Sequence, residues 1–177
     1  MNFKGIFIHC SATEYGSALL FDSWHKARGW REIGYHFIIS NGLYSGFQKE
    51  RWPFSDGHIE AGRKLDDDSS FEPDEIGAHV YGFNTGYIGV CIIGNRRFTS
   101  AQYKTSKNLV LYLVDKFGLL IENVFGHYEA GKLNEKYATH KTCPNIPMDQ
   151  YRSYLEGRID EDRLHKYQQE YMYTIFK

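Results

Sequence analysis

The sequence predicts a single mixed α/β domain in which a twisted, mixed central β-sheet is flanked by helices on both faces. The chain has 177 residues and a mass of 20.7 kDa, which is the usual size of one domain. Its composition, 42% hydrophobic and 24% charged, is that of a globular protein and excludes wholesale disorder. Short apolar runs typical of strands alternate with stretches of helical periodicity, which favours a sheet covered by helices.

The first half of the chain contains two predicted strands and one predicted helix. Lys4 to His9 is a short apolar strand, and His9 is its last residue. Ser17 to Arg28 has apolar residues at helical spacing, and Gly29 is placed to end that helix. Gly34 to Ile39 is a second buried strand. Its alternation predicts that Tyr35, Phe37 and Ile39 share one face and that His36 lies on the other, in a structural role.

The second half begins after a loop-rich segment from Ser40 to Glu75 that we expect to form a hairpin and long surface loops. We expect a central strand from Tyr87 to Gly94, a helix capped by Thr99 or Ser100 that runs to Phe117, and a strand from Ile121 to Phe125. The tail from Asp149 to Lys177 predicts two short helices separated at Gly157. We therefore divide the chain into a domain over 1–148 and a helical extension over 149–177, packed on or next to it.

Charge and cysteine content narrow the classes of partner and compartment. The net charge is −1, so no overall basic field indicates nucleic acid. No run of about 18 apolar residues and no secretion signal is present in the sequence, so we expect a soluble chain that does not insert into membranes. The three cysteines lie far apart without a CxxC pair, which favours a reducing compartment and no disulfide framework.

Two histidines and a cysteine occupy the predicted junctions between strands and loops. His9 ends the first strand, His127 follows Gly126 after a late strand, and Cys143 precedes Pro144. Histidine and cysteine are the usual protein ligands of Zn²⁺, and three such ligands leave the fourth position open for water, as in catalytic sites. From spacing alone, histidines that are hydrogen-bonded within a core remain the commoner interpretation.

Six motifs in order resemble the zinc-dependent N-acetylmuramoyl-L-alanine amidases, a superfamily that also holds the peptidoglycan recognition proteins. They are IFIHCSAT, GWREIGYHFII, EAGR, GAHVYGFN, YIGVCIIGN, and GHYE followed by HKTCPN. The resemblance runs from about Phe3 to Pro144, and the chain looks most like the phage endolysins of the T7 lysozyme type. It implies that His9, His127 and Cys143 ligate one zinc ion, with Tyr35 and Lys141 as the catalytic residues beside it.

The chemistry of this family requires residues of these types. Zinc generates a nucleophilic water at neutral pH, and an ammonium such as Lys141 stabilises the oxyanion of the tetrahedral intermediate. Tyr35 either orients the water or hydrogen-bonds the oxyanion. His79 of GAHVYGFN matches a histidine near the cleft, where it contacts a ligand or the substrate; the alternative is a hydrogen bond that fixes its loop. His25, His58, His140 and His165 are expected in surface or loop positions.

Departures from the family pattern leave further alternatives open. The segments 40–60 and 64–76 are longer than in the family, and either extend a substrate groove or form a packing flap. Tyr128 and Glu129 follow the second ligand in place of the family's usual residues. The tail either binds a partner or is a solvated helical cap.

The resemblance implies hydrolysis of the amide bond between N-acetylmuramic acid and L-alanine in bacterial peptidoglycan. A chain without an export signal fits a phage endolysin that waits in the host cytoplasm until a separate pore-former opens the membrane. A bacterial enzyme that recycles wall fragments fits as well. The alternatives are a non-catalytic peptidoglycan-binding module and a regulator of a phage RNA polymerase. We expect a monomer.

Overall fold

A five-stranded mixed sheet forms the centre of the computed structural model, which describes residues 1–66 and 68–175. The strands are β1 (Gly5–Cys10), β2 (Phe37–Asn41), β3 (Asp56–Ala61), β4 (Tyr87–Ile92) and β5 (Val124–Gly126). Their order in the sheet is β3-β2-β4-β1-β5. Strand β1 is parallel to β4 and β5, β2 is parallel to β4, and β3 is antiparallel to β2. The predicted mixed α/β sheet is confirmed.

Within residues 1–66 and 68–175, five α-helices accompany the sheet: α1 (Ala18–Lys26), α2 (Ser100–Lys116), α3 (Ala130–Leu133), α4 (Met148–Leu155) and α5 (Glu161–Ile175). Ser17 caps α1 by accepting a hydrogen bond from the amide of Leu20. Thr99 caps α2 in a reciprocal pair with Gln102. Among the described residues, no helix is long and apolar enough to cross a membrane.

Alternation along β1 separates the two faces of the sheet. Ile6 and Ile8 belong to the large hydrophobic cluster that also contains residues of α2, α4 and α5. Phe7 and His9 point to the opposite face, where Phe7 packs with Val80 and Ala130. Helix α1 covers that opposite face as well, through Phe21. One face of the sheet therefore carries most of the core, and the other carries the side chain of His9.

The segment before β2 departs from the predicted alternation. Tyr35 packs in the cluster that contains Ile38, whereas Phe37 and Ile39 belong to the large cluster on the other face. The carbonyls of the consecutive residues Tyr35 and His36 both accept hydrogen bonds from one neighbouring segment, from the amides of residues 63 and 62. Consecutive carbonyls of a regular strand point in opposite directions, so this local irregularity shifts the alternation by one residue.

The strand predicted from Ile121 begins later, at Val124. Residues 121–123 form a 3₁₀ turn in which the side chain of Asn123 accepts a hydrogen bond from the amide of Leu120. Pairing with β1 then extends only from Val124 to Gly126. Because Asn123 satisfies the backbone of the preceding turn, the apolar residue Ile121 does not join the sheet.

The loop-rich segment packs against the body of the protein. Glu60 accepts a hydrogen bond from the amide of Ala18 at the start of α1. The backbone of Phe71 pairs with Met1, and the side chain of Phe71 is fully buried. Glu75 is also buried and accepts hydrogen bonds from two backbone amides of its own loop. These contacts favour the packing alternative for residues 64–76.

The tail contributes buried side chains to the large hydrophobic cluster. Tyr151, Tyr154, Leu155 and Leu164 of α4 and α5 all belong to it. Gly157 lies between the two helices with a φ of 74°, in agreement with the predicted interruption. The boundary expected after residue 148 falls within the first turn of α4. The last two residues of the predicted extension, 176 and 177, lie outside the described residues.

Candidate active site

Parallel pairing of β1 and β5 brings the two predicted histidine ligands together. Ile8 pairs with Gly126, so His9 and His127 extend from neighbouring strand ends, with ring centroids 4.9 Å apart. Cys143 comes from the loop before α4, and its Sγ accepts a hydrogen bond from the amide of Cys10 at 3.3 Å. The three potential ligand atoms all lie within 4.8 Å of one another.

This donor set fits a metal ion that prefers nitrogen and sulfur. Two imidazoles and one thiol suit zinc better than magnesium or calcium, which take oxygen ligands. His9 Nδ1 lies 3.7 Å from Cys143 Sγ. Tetrahedral zinc with ordinary bond lengths separates its nitrogen and sulfur donors by roughly 3.5 Å. The three residues can therefore hold one metal ion with little rearrangement.

The electrostatic environment keeps both histidines neutral, which is the form that binds metals. Burial, assisted by His79, His127 and Lys141, holds the pKa of His9 well below its ordinary value. Burial and the charge of Lys141 lower the pKa of His127 to about 4. Each ring therefore has one nitrogen lone pair free at neutral pH.

The thiol of Cys143 differs from the imidazoles. Its hydrogen bond with Cys10 and its burial raise the pKa of Cys143 well above the ordinary value. A coordinated thiol loses its proton outright. Because the amide of Cys10 donates to Cys143 Sγ, the backbone would stabilise the thiolate that a bound metal ion requires.

His79 is in hydrogen-bond contact with His9. Its Nδ1 is 3.2 Å from His9 Nε2, and its own Nε2 is 3.2 Å from the carbonyl oxygen of Tyr87. Burial and the nearby His36 lower the pKa of His79 to about 3, so the ring is neutral. A different residue, Asn84, fixes the loop by accepting hydrogen bonds from the amides of His79 and Val80. The side chain of His79 is therefore directed to the predicted ligand His9.

Tyr35 and Lys141 lie around the three predicted ligands. The ring of Tyr35 is 5.1 Å from that of His9, and burial raises the pKa of Tyr35 well above its ordinary value. Its phenol is therefore protonated at neutral pH. Lys141 is exposed, lines the cleft beside Thr142 and Cys143, and lowers the pKa of His127 after the larger effect of burial.

The remaining histidines do not belong to the cluster of predicted ligands. His36 is buried; its Nδ1 accepts from the amide of Gly89 and its Nε2 donates to the carbonyl of Glu75. His58 and His140 are exposed and His165 is half-buried on α5. The surface position expected for His25 is wrong. This residue is buried against Trp30 and accepts a hydrogen bond from the amide of Gly34, because α1 turns its last residues towards the cleft.

Two adjoining cavities form the cleft over the site. One, of about 380 Å³, is lined by the three predicted ligands, Tyr35 and Arg28. The other, of about 420 Å³, continues past Tyr81, Asn84 and Tyr137. Trp30, Ala78, His79, His127 and Lys141 line both. No described residue between 40 and 76 lines either cavity, so the groove extension considered for these loops is not observed.

The sequence did not predict an ion-pair cluster that supports the His127 turn. Glu129 is buried and accepts hydrogen bonds from the amide of Gly126 and from both terminal nitrogens of Arg152. Arg152 also donates to the carbonyl of Val124 at 2.8 Å, and Lys132 contacts Glu129 at 2.6 Å. The replacement of the family's usual residues after His127 was the only signal of this cluster in the sequence, and it did not indicate the partner in α4.

Known proteins of similar sequence or structure point to one family. A family model described as N-acetylmuramoyl-L-alanine amidase matches residues 1–146. The endolysin of Escherichia phage T7 is 30% identical over 158 residues, which cover 82% of this chain and 83% of that protein. The endolysin of Klebsiella phage KP32 is 34% identical over 157 residues, with the same coverage of 82% and 83%.

Two solved structures share the fold at lower identity. The N-acetylmuramoyl-L-alanine amidase LysC from Clostridium intestinale has a TM-score of 0.62 and 24% identity, with 88% of this chain and 87% of that chain covered. Drosophila PGRP-LB has a TM-score of 0.54 and 23% identity, with coverages of 81% and 78%. The fold and the enzyme class expected from the sequence are confirmed, and the chain belongs to the N-acetylmuramoyl-L-alanine amidase family.

Proposed function

We propose that this amidase is a zinc-dependent phage endolysin that cleaves the amide bond between the lactyl group of N-acetylmuramic acid and L-alanine of the stem peptide. The observation that carries the proposal is the convergence of His9, His127 and Cys143, whose donor atoms lie within 4.8 Å of one another at the floor of the cleft. Its wall substrate follows from the family, and its endolysin role rests on similarity to the phage relatives.

The zinc ion and the residues of the chain have separate roles in the proposed reaction. When bound, one zinc ion lowers the pKa of water to about 7 and polarises the scissile carbonyl. His9 and His127 present neutral nitrogen lone pairs for the ion, and Cys143 supplies one negative charge. The amide of Cys10 holds the sulfur of Cys143 in place by donating a hydrogen bond to it.

Tyr35 and Lys141 serve as hydrogen-bond donors to the reacting groups. Lys141 places an ammonium at the rim of the cleft, where it stabilises the negative charge that develops on the carbonyl oxygen. Tyr35 keeps its phenolic proton because burial raises its pKa, and it donates this hydrogen to the same oxygen or orients the attacking water.

The shape of the cleft suits an extended substrate that lies across the metal site. The two cavities adjoin along Trp30 and His127, so glycan and stem peptide can occupy opposite sides of the scissile bond. Trp30 is 39% exposed and offers an aromatic surface on which a sugar ring can pack. In the infected cell the enzyme reaches this substrate after a separate pore-former opens the membrane.

Product analysis by mass spectrometry tests the proposal directly. Purified protein is incubated with purified peptidoglycan, with and without a chelator, and zinc is then added back. We expect free stem peptides that begin with L-alanine, released only when metal is present. Intact peptidoglycan despite one bound zinc per chain would refute the catalytic proposal and favour a binding module or a polymerase regulator.

Two variants test whether hydrolysis depends on the proposed metal site. Cys143→Ser should lower the zinc content and abolish hydrolysis, because a neutral hydroxyl is a poor zinc ligand. His58→Gln is the matched control, since His58 is exposed on β3 and lines neither cavity. It should retain zinc and full activity.

Substrate form distinguishes the endolysin from a recycling enzyme. An endolysin must act on intact, cross-linked sacculi, whereas a recycling enzyme acts on soluble fragments. We expect release of stem peptides from sacculi at a rate that matches or exceeds the rate on soluble muropeptides. Activity confined to soluble fragments would overturn the endolysin role and leave the amidase activity in place.

A further inference from the structure

We propose that His79 is a positioning residue that accepts the Nε2 proton of His9 and thereby keeps His9 Nδ1 free to bind a cation. The consequence for metal binding rests on the proposed function; the proton arrangement itself does not. Among the described residues, the potential metal ligands that cluster are His9, His127 and Cys143 alone, so His79 lies outside the cluster.

The carbonyl of Tyr87 determines which nitrogen of His79 carries hydrogen. This oxygen lies 3.2 Å from His79 Nε2, and a carbonyl has lone pairs but no proton to give. His79 Nε2 must therefore be the donor. In a neutral ring the other nitrogen, Nδ1, then has a free lone pair.

That lone pair in turn determines the state of His9. His79 Nδ1 lies 3.2 Å from His9 Nε2, so His9 Nε2 donates the hydrogen between them. Its Nδ1 is left without a proton, 3.7 Å from Cys143 Sγ. The opposite arrangement would put a proton on His9 Nδ1 and point it at the cysteine, where it would block the ligand position. Three groups, a carbonyl and two imidazoles, thus form one directed chain of hydrogen bonds.

Two glycines leave room for the His79 ring. A Cβ atom at Gly89 would lie 2.7 Å from His79 Cδ2, and one at Gly77 would lie 2.6 Å from the same atom. Gly89 stands inside the central strand β4, where glycine weakens a strand and marks a close approach by another group. Asn84 also holds the backbone of His79 by accepting a hydrogen bond from its amide. The position of the ring is therefore built into three separate segments.

Loss of such a hydrogen-bond partner typically costs roughly 10- to 100-fold in metal affinity. His79→Leu fills part of the space but removes the acceptor. His79→Asn is the rescue variant, because its side-chain oxygen can occupy the place of Nδ1 and accept from His9 Nε2. His165→Leu removes a histidine of α5 that contacts Tyr103 and Ser100, and it is the matched control.

The first measurement is nitrogen NMR of histidine-labelled, metal-free protein, which reports the tautomer of each ring. We expect His9 to carry its proton on Nε2 in the wild type, in His79→Asn and in the control. In His79→Leu we expect a mixture of tautomers. A wild-type His9 protonated on Nδ1 would overturn the proposal, and this result does not depend on zinc or activity.

The second measurement is zinc affinity by competition with a chromophoric chelator. We expect His79→Leu to bind zinc roughly 10- to 100-fold more weakly than the wild type and the control, with His79→Asn in between. Equal affinity for the wild type and His79→Leu would refute the positioning role. Failure of the wild type itself to bind zinc would instead refute the proposed metal site, so the two failures are distinguishable.

Discussion

Lys141 brings a positive charge to the cleft on an exposed side chain. Its backbone amide donates a hydrogen bond to the hydroxyl of Thr139. We expect Lys141→Ala to retain zinc and stability but to lose roughly 10²- to 10³-fold in turnover, the usual cost of removing one oxyanion donor. Stem-peptide release and zinc stoichiometry check this. Lys141→Arg, which keeps the charge, should recover part of the rate; a full rate in Lys141→Ala would contradict the role.

Tyr35 contributes a hydroxyl whose proton does not titrate in the working range. Because burial raises its pKa, Tyr35→Phe removes a donor without removing a charge. We expect a loss of roughly 10²- to 10⁴-fold in turnover. The pH limits of the remaining activity should stay unchanged, since a phenol that is protonated throughout sets neither limit. A rate–pH profile of both proteins tests this, and a shifted limit in Tyr35→Phe would show that the phenol does titrate.

At the scale of secondary-structure elements, the local sequence pattern correctly predicted the elements whose backbone hydrogen bonds are satisfied within their own sequence. Helix α2 has apolar periodicity and a capping pair, Thr99 and Gln102, within its own sequence, and its predicted bounds agree with the structure. The start predicted for strand β5 was wrong because Asn123 stabilises a turn that apolar periodicity does not indicate. The sheet face predicted for Tyr35 was wrong because the consecutive carbonyls of Tyr35 and His36 both accept hydrogen bonds from one neighbouring segment. Such pairing depends on a segment more than 25 residues away.

The candidate site, too, could be predicted only in part from local sequence pattern. His9 and His127 were placed at strand ends by local pattern, and parallel pairing then makes them neighbours. Their assignment as ligands came from the family motifs, not from spacing. The partner of Glu129 could not be predicted, because Arg152 lies 23 positions along the chain in a helix whose local pattern indicates only an amphipathic surface.

Helix α4 supports the turn that carries His127 through the contact between Arg152 and Glu129. Arg152→Met would leave Glu129 buried with Lys132 as its remaining ion-pair partner and would free the carbonyl of Val124. Breaking a buried pair typically costs about 3 kcal/mol or more. We expect a loss of that order in the free energy of unfolding, measured in urea, and weaker zinc binding. Arg163→Met, at an exposed position of α5, should change neither quantity. Unchanged stability of Arg152→Met would show that Lys132 alone compensates Glu129.

At the scale of the whole molecule, the tail packs against the face of the sheet opposite to the candidate site. Tyr151 and Leu164 are fully buried in the cluster under β1, opposite the face that carries His9. Full burial of a large apolar side chain contributes roughly 1.5–3 kcal/mol, against a total stability of about 5–15 kcal/mol for a domain. We therefore expect a chain ending at residue 147 to be unfolded or to lose most of its stability. Urea unfolding of the shortened and full-length chains tests this, and a shortened chain of equal stability and activity would show that the tail is dispensable.

We expect His36 to contribute to the loss of stability of the whole molecule in acid. Burial lowers the pKa of His36 to about 4, against about 6.5 in an unfolded chain. Between these values the unfolded chain binds a proton that the folded chain does not, so acid favours unfolding; above pH 6.5 the group has no effect. The free energy of unfolding should fall by up to about 1.4 kcal/mol per pH unit from this residue.

The test compares the wild type with His36→Gln in chelator, by urea unfolding at intervals from pH 7 to pH 4. The variant loses the contacts of His36 with Gly89 and Glu75, so it should be less stable at pH 7. Its stability should nevertheless decline less steeply below pH 6.5, because all other titrating groups are common to both proteins. The two curves should converge by up to about 3 kcal/mol towards pH 4. Parallel curves would mean that His36 titrates alike in the folded and unfolded chains, and that its burial does not limit stability in acid.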